Sequence, residues 1–191
     1  MILRNGRVLG LATALLAVGM LGGCASGVTR PDGQKTAVFK PSAEFPIAKV
    51  TVTTTAEARA KLKDNFKFSQ DQMRSTIEQA LGSNQMFSAQ HGQNGFNMDV
   101  LVTRIRVRST FNAIMWGAMA GNDAVEGEVT VKDSVGKTLD KFSVKASYAL
   151  GGFAGGQDSM RTGWLYEAFA KEVIGQYKPE TAGNSKNSAK K

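Results

Sequence analysis

Few side chains in this chain could do chemistry. Cys24 and His91 are the only thiol and the only imidazole among 191 residues, which leaves no disulfide framework and no cysteine zinc cluster. Catalysis that depends on histidine or cysteine is therefore not expected. His91 stands in a connection rich in glycine, asparagine and glutamine, Asn84 to Asn97, and reads as a solvated loop side chain. No serine falls in a G-x-S-x-G elbow. Glu126 and Glu128 are the one pair of carboxylates at strand spacing, and they are expected to face arginines, ionised and structural rather than poised as acid and base. Gly151-Gly152-Phe153-Ala154-Gly155-Gly156 precedes a helix start, the place where backbone amides bind phosphate. The stretch lacks both the ordered G-x-G-x-x-G spacing and a Gly-Lys-Ser/Thr ending, so it reads as a tight turn. No enzyme activity, no cofactor and no metal centre is expected.

Cys24 is different because of what precedes it. Arg4 and Arg7 lead into Val8 to Leu21, a run of 14 residues without a charge, which is the order of a bacterial secretory signal. About 20 apolar residues are needed to cross the hydrocarbon core as a helix, so the run is too short to be a resident span. Leu21-Gly22-Gly23-Cys24 then resembles the lipobox of bacterial lipoproteins. The resemblance implies that residues 1–23 are removed as a signal peptide, and that Cys24 becomes the first residue, carrying a diacylglycerol thioether and an amide-linked acyl chain. Two or more chains anchor stably where one is marginal. Ala25 and Ser26 follow the cysteine; the absence of an aspartate there implies an outer-membrane lipoprotein facing the periplasm.

With 42% apolar, 21% charged and 8% aromatic residues, the composition is that of one globular domain with appendages. The formal charge is +8, or +6 once Arg4 and Arg7 are removed. Residues 24–46 are polar, broken by Gly27, Pro31, Gly33, Pro41 and Pro46, and read as a flexible tether. Residues 178–191 hold four lysines, one glutamate and no large apolar side chain, and read as a disordered basic tail. The folded body is 47–177, long enough for one core.

Within it, β-branched alternation over Ile47 to Thr55 predicts a strand. Ser69 to Gln72 fits a capping box, with Phe68 and Met73 placed as a hydrophobic staple. Met73, Ile77, Ala80 and Leu81 then form one helical face that Gly82 closes. Leu101, Ile105 and Val107 alternate against Arg104, Arg106 and Arg108; Val125, Val129 and Val131 against Glu126, Glu128 and Lys132; Phe142, Val144, Ala146 and Tyr148 against Lys141, Lys145 and Ser147. Asp133 to Lys137 is the turn between the last two strands. Met160, Trp164, Leu165, Ala168, Phe169 and Ile174 recur at helical spacing. The prediction is an α+β domain of order β-α-β-β-β-α, a mixed sheet with two helices packed on one face.

Arg106 and Arg108 are expected opposite Glu126 and Glu128 on a salt-bridged, solvated face, and export excludes nucleic acid. Phe111 to Gly121 (FNAIMWGAMAG) is apolar where a hairpin loop should be polar. With the first, second and fourth predicted strands parallel, three loops gather at one end, and Ile114, Met115, Trp116, Met119 and Phe153 form an interaction patch there. The other reading has the segment fold back over the core. The lipobox, the apolar glycine-bearing segment, the Asp133 to Lys137 turn and the Gly151 to Gly156 turn together resemble small bacterial lipoproteins of a family of unknown function. The element order is more distantly similar to lipoprotein activators of penicillin-binding proteins and to the amino-terminal domain of the Tol-system translocation protein. These features imply a lipid-anchored periplasmic interaction module, an accessory or assembly subunit with an envelope protein partner. The alternative is a binder of anionic envelope components: lipid headgroups, lipopolysaccharide or peptidoglycan.

Overall fold

The computed structural model describes residues 26–31, 37, 39–62, 68–107, 122–148 and 158–178. Five strands form one mixed sheet in the order β1-β5-β4-β3-β2, where β1 is Gly27–Thr29, β2 Ile47–Thr54, β3 Phe96–Arg106, β4 Asp123–Lys132 and β5 Thr138–Tyr148. β2 and β3 are parallel and every other pairing is antiparallel. Helices α1 (Ala56–Lys61), α2 (Gln70–Ser83) and α3 (Asp158–Gly175) complete the body. This is the predicted α+β class, with α2 and α3 packed on one face of the sheet.

The core lies between that face and the two helices. Met73, Ile77 and Leu81 of α2 meet Val50, Val52, Val100, Val102, Val129 and Phe142 from the strands, and Leu165, Phe169 and Val173 from α3. Each such side chain, fully buried, contributes about 1.5–3 kcal/mol. On α3, Met160 faces outward at 52% exposure, and the fully buried residue of that turn is Arg161.

Ser69 caps α2 as expected, its Oγ accepting from the Gln72 amide at 3.1 Å. The other half of the predicted box is replaced: the Ser69 amide donates to the Tyr166 hydroxyl at 2.9 Å, and the Phe68 ring stands edge-on to Tyr166. Gly82 does not close the helix. The helix continues through Ser83, and Gln85 takes the left-handed conformation at φ 58°. The β4–β5 turn forms at Asp133, whose Oδ1 accepts from the Val135 and Lys137 amides, with Gly136 at φ 88°.

Two further sequence expectations fail for a physical reason. The alternation in β3 changes phase at a bulge between Val102 and Arg104. Met98, Val100, Val102 and then Ile105 point inward, and Leu101, expected in the core, is 37% exposed. The same extra residue shifts the register, so Arg104 lies opposite Glu126 and Arg106 opposite Ala124. The carboxylates pair instead with lysines of β5, Glu128 with Lys141 at 3.0 Å and Glu126 with Lys145 at 3.5 Å.

The second failure concerns the stretch 24–46. Its described residues are built into the fold: β1 pairs with β5, and the Phe39 ring packs 4.4 Å from Phe96. A three-residue strand carries no period, and its attachment comes from single long-range contacts that a local pattern cannot register.

Candidate functional site

Cys24, Ile114, Met115, Trp116, Met119 and Phe153 all lie outside the described residues. The chain ends that flank them are described, and the sheet brings them together. β2, β3 and β5 run the same way, so Thr54, Arg106 and Tyr148 finish at one end, where Asp123 begins β4. β1 runs against β5, with Gly27 beside Lys145. Ser26 therefore joins that same end, and its hydroxyl accepts from the Ser147 amide at 2.9 Å and donates to the Ser147 carbonyl at 3.4 Å.

Arg30 locks the far end of β1. Its guanidinium forms a two-pronged pair with Asp140, Nη1 to Oδ1 at 2.5 Å and Nη2 to Oδ2 at 3.2 Å, and Nε donates to Gln176 Oε1 at 3.3 Å. The two side chains are 3% and 1% exposed. The cation also sits 4.8 Å from the centre of the Phe142 ring, an attraction strengthened by the dry surroundings. Tyr177 stands edge-on to Phe142; burial, and then the charge of Asp140, push its phenol far above the usual range while Arg30 opposes the shift. Such a planar, bidentate pair is what arginine supplies and lysine does not.

A second buried ion pair closes the opposite end of the β4–β5 ladder. Arg161, from the first turn of α3, approaches Asp123 at 3.6 Å, and both side chains are wholly buried. Asp123 lies opposite Tyr148 in register, and the Tyr148 ring packs 4.8 Å from Trp164. Partial burial, then the Asp123 carboxylate, raise the Tyr148 phenol above its ordinary value. Thr55 ties α1 to the same end, its hydroxyl accepting from the Ala58 amide at 3.2 Å and donating to the carbonyl of Thr103 in the bulge at 3.4 Å.

Sequence reading missed both buried arginines, since a lone Arg or Asp reads as surface. The one available signal was Asp140, falling at the inward phase of the β5 alternation just before Phe142. In both pairs the carboxylate is matched to a guanidinium. Among the described residues no cluster of His, Cys, Asp and Glu could hold a metal ion, and no helix is long and apolar enough to cross a membrane. The described residues line open hollows of about 330 Å³ on the helix-free face between Thr103, Glu126, Glu128 and Lys145, and about 560 Å³ along the outer edge of β2 beside Arg74 and Glu78 of α2. Their charged lining suits surface contact better than enclosure of a small molecule.

A five-stranded mixed sheet backed by helices, closed at each end by a buried ion pair, defines a small α+β domain. Residues 35–152 match the family described as a domain of unknown function, DUF4410, and the chain belongs to that family. The matched stretch holds Asp123 and Asp140, while their partners Arg161 and Arg30 lie to either side of it. No curated protein matches the chain. Among solved structures, the PelC dodecamer from Paraburkholderia phytofirmans is similar at 12% identity, covering 82% of this chain and 100% of that one, with a TM-score of 0.49. An uncharacterised protein is similar at 16% identity, 75% and 97% coverage and a TM-score of 0.45. A minor lipoprotein from Acinetobacter baumannii is similar at 11% identity, 68% and 91% coverage and a TM-score of 0.38.

Proposed function

We propose that this protein is a lipid-anchored interaction module of the bacterial cell envelope, acylated on Cys24 and held at the periplasmic face of the outer membrane. It holds a protein partner and is not an enzyme. The observation that carries this reading is the order Arg4, Arg7, an uncharged run from Val8 to Leu21, two glycines and the chain's only cysteine. Secretion needs that order, and acylation needs a thiol at that point.

Labelling with radioactive fatty acid is the test: label on the wild type and none on Cys24→Ser is expected, and equal label on both contradicts the anchor. Crosslinking in intact envelopes should then enrich a defined protein with the wild type. A second reading, attraction to anionic lipid headgroups, lipopolysaccharide or peptidoglycan, is favoured by the formal charge of +6 that is left once Arg4 and Arg7 are removed and by the four lysines between Lys178 and Lys191. Binding of that kind fades with salt.

A further inference from the structure

We infer that the end of the sheet carrying Ser26, Arg106, Asp123 and Tyr148 is held against the lipid headgroups, and that the β4–β5 turn at Asp133 to Gly136 points away from them. The inference rests on acylation at Cys24 and adds to it the distance and the direction. Only Ala25 stands between Cys24 and Ser26. Two peptide links reach about 7 Å at most, so an acylated Cys24 leaves Ser26 no room to leave the bilayer surface.

Ser26 is not the start of a swinging arm. Its hydroxyl is bonded twice to Ser147, the next three residues pair with β5, and Arg30 is clamped by Asp140, Gln176 and Phe142. The short link and the locked strand together hold the nearby sheet end near the bilayer. Strands β3 and β4 then run away from it, and the ten residues of β4 carry the far turn about 30 Å beyond the near end.

The charge at the near end fits anionic headgroups. With Asp123 set against Arg161 and Glu126 against Lys145, exposed Arg59 and Lys61 on α1 and Arg104 and Arg106 at the end of β3 outnumber the acids Glu57, Asp71 and Asp158 placed there. Strands β3 and β4 are joined through 108–121, which contains Arg108 and no acid, and 149–157, between β5 and α3, is uncharged. The balance at this end is therefore basic, the sign that a bilayer surface containing anionic lipid attracts.

The experiment uses the full-length acylated protein in vesicles of phosphatidylethanolamine and phosphatidylglycerol. With the Cys24 thiol occupied as a thioether, a single added cysteine can carry a fluorophore: Arg59→Cys at the near end, or Val135→Cys at the far turn, where the native side chain is 86% exposed. Quenching by a headgroup nitroxide lipid should be severalfold stronger at position 59 than at 135. Inserting ten glycine and serine residues between Ala25 and Ser26 adds a coil of roughly 17–19 Å root-mean-square length and should abolish most of that difference. Equal quenching without the insertion overturns the inference while leaving the anchor intact. Stronger quenching at 135 overturns it in favour of a near end turned outward to a protein partner. Failure of the protein to float with vesicles removes the anchor and the inference together.

Discussion

Replacing Arg30 with alanine tests the attachment of β1 to the body. Asp140 is 1% exposed and its only ion-pair partner among the described residues is Arg30. The substitution thus strands a carboxylate out of water, and breaking a buried pair from one side costs about 3–5 kcal/mol. Loss of the contact with the Phe142 ring adds to this in the same direction. Against a total stability of about 5–15 kcal/mol for a domain, that is roughly a fifth of the margin or more. At about 4 °C per kcal/mol for a domain of this size, the melting temperature should fall by roughly 12–20 °C. Urea unfolding of wild type, Arg30→Ala, Asp140→Asn and the double variant Arg30→Met with Asp140→Leu gives the test. Each single variant should be strongly destabilised, and the double apolar variant should recover most of the loss, because removing both charges also removes their desolvation. An Arg30→Ala midpoint indistinguishable from wild type would mean that β1 is not held as described.

Other consequences can be measured on the same material. A Cβ at Gly95 would lie 2.4 Å from that of Ala48, whereas one at Gly163 meets nothing within 4 Å. Gly95→Ala should therefore cost about 1–3 kcal/mol, and Gly163→Ala, inside α3, should gain about 0.5–1 kcal/mol; the same sign for both in urea melts contradicts this packing. Leu101→Ser should stay within about 0.5 kcal/mol of wild type while Met98→Ala loses about 2–5 kcal/mol, and a large loss at Leu101 would deny the bulge. Tyr148, Tyr166 and Tyr177 all have phenols raised above 10.0, burial being the largest cause in each. Above that pH the unfolded chain releases protons that the folded chain keeps. Stability present below pH 10 should consequently fall as pH rises through the folded-state values, and a melting temperature level from pH 9 to 11.5 would refute the burial of these rings.

What was legible in the sequence followed the length of each pattern. β4 and β5 alternate over ten and eleven residues, and both appear with the predicted faces. α2 buries Met73, Ile77 and Leu81 as their spacing required. In β3 the alternation was real on each side of Thr103, but a bulge leaves no composition mark, so a phase taken from Ile105 misplaces Leu101. The six residues of α1 are too few to show a period; their signal is the Thr55 cap, a residue equally at home in the strand before it. β1 was hidden because its hold depends on Asp140, 110 positions away. The predicted patch residues fall outside the described residues, and what the structure adds is that the strand ends flanking them in the sequence meet at one end of the sheet.

The most direct measurement is mass spectrometry of the amino-terminal peptide from protein isolated out of native membranes. A peptide beginning at Cys24, heavier by a diacylglycerol and an amide-linked acyl chain, is the predicted result. A peptide beginning at Met1, or a Cys24 with a free thiol, would contradict it.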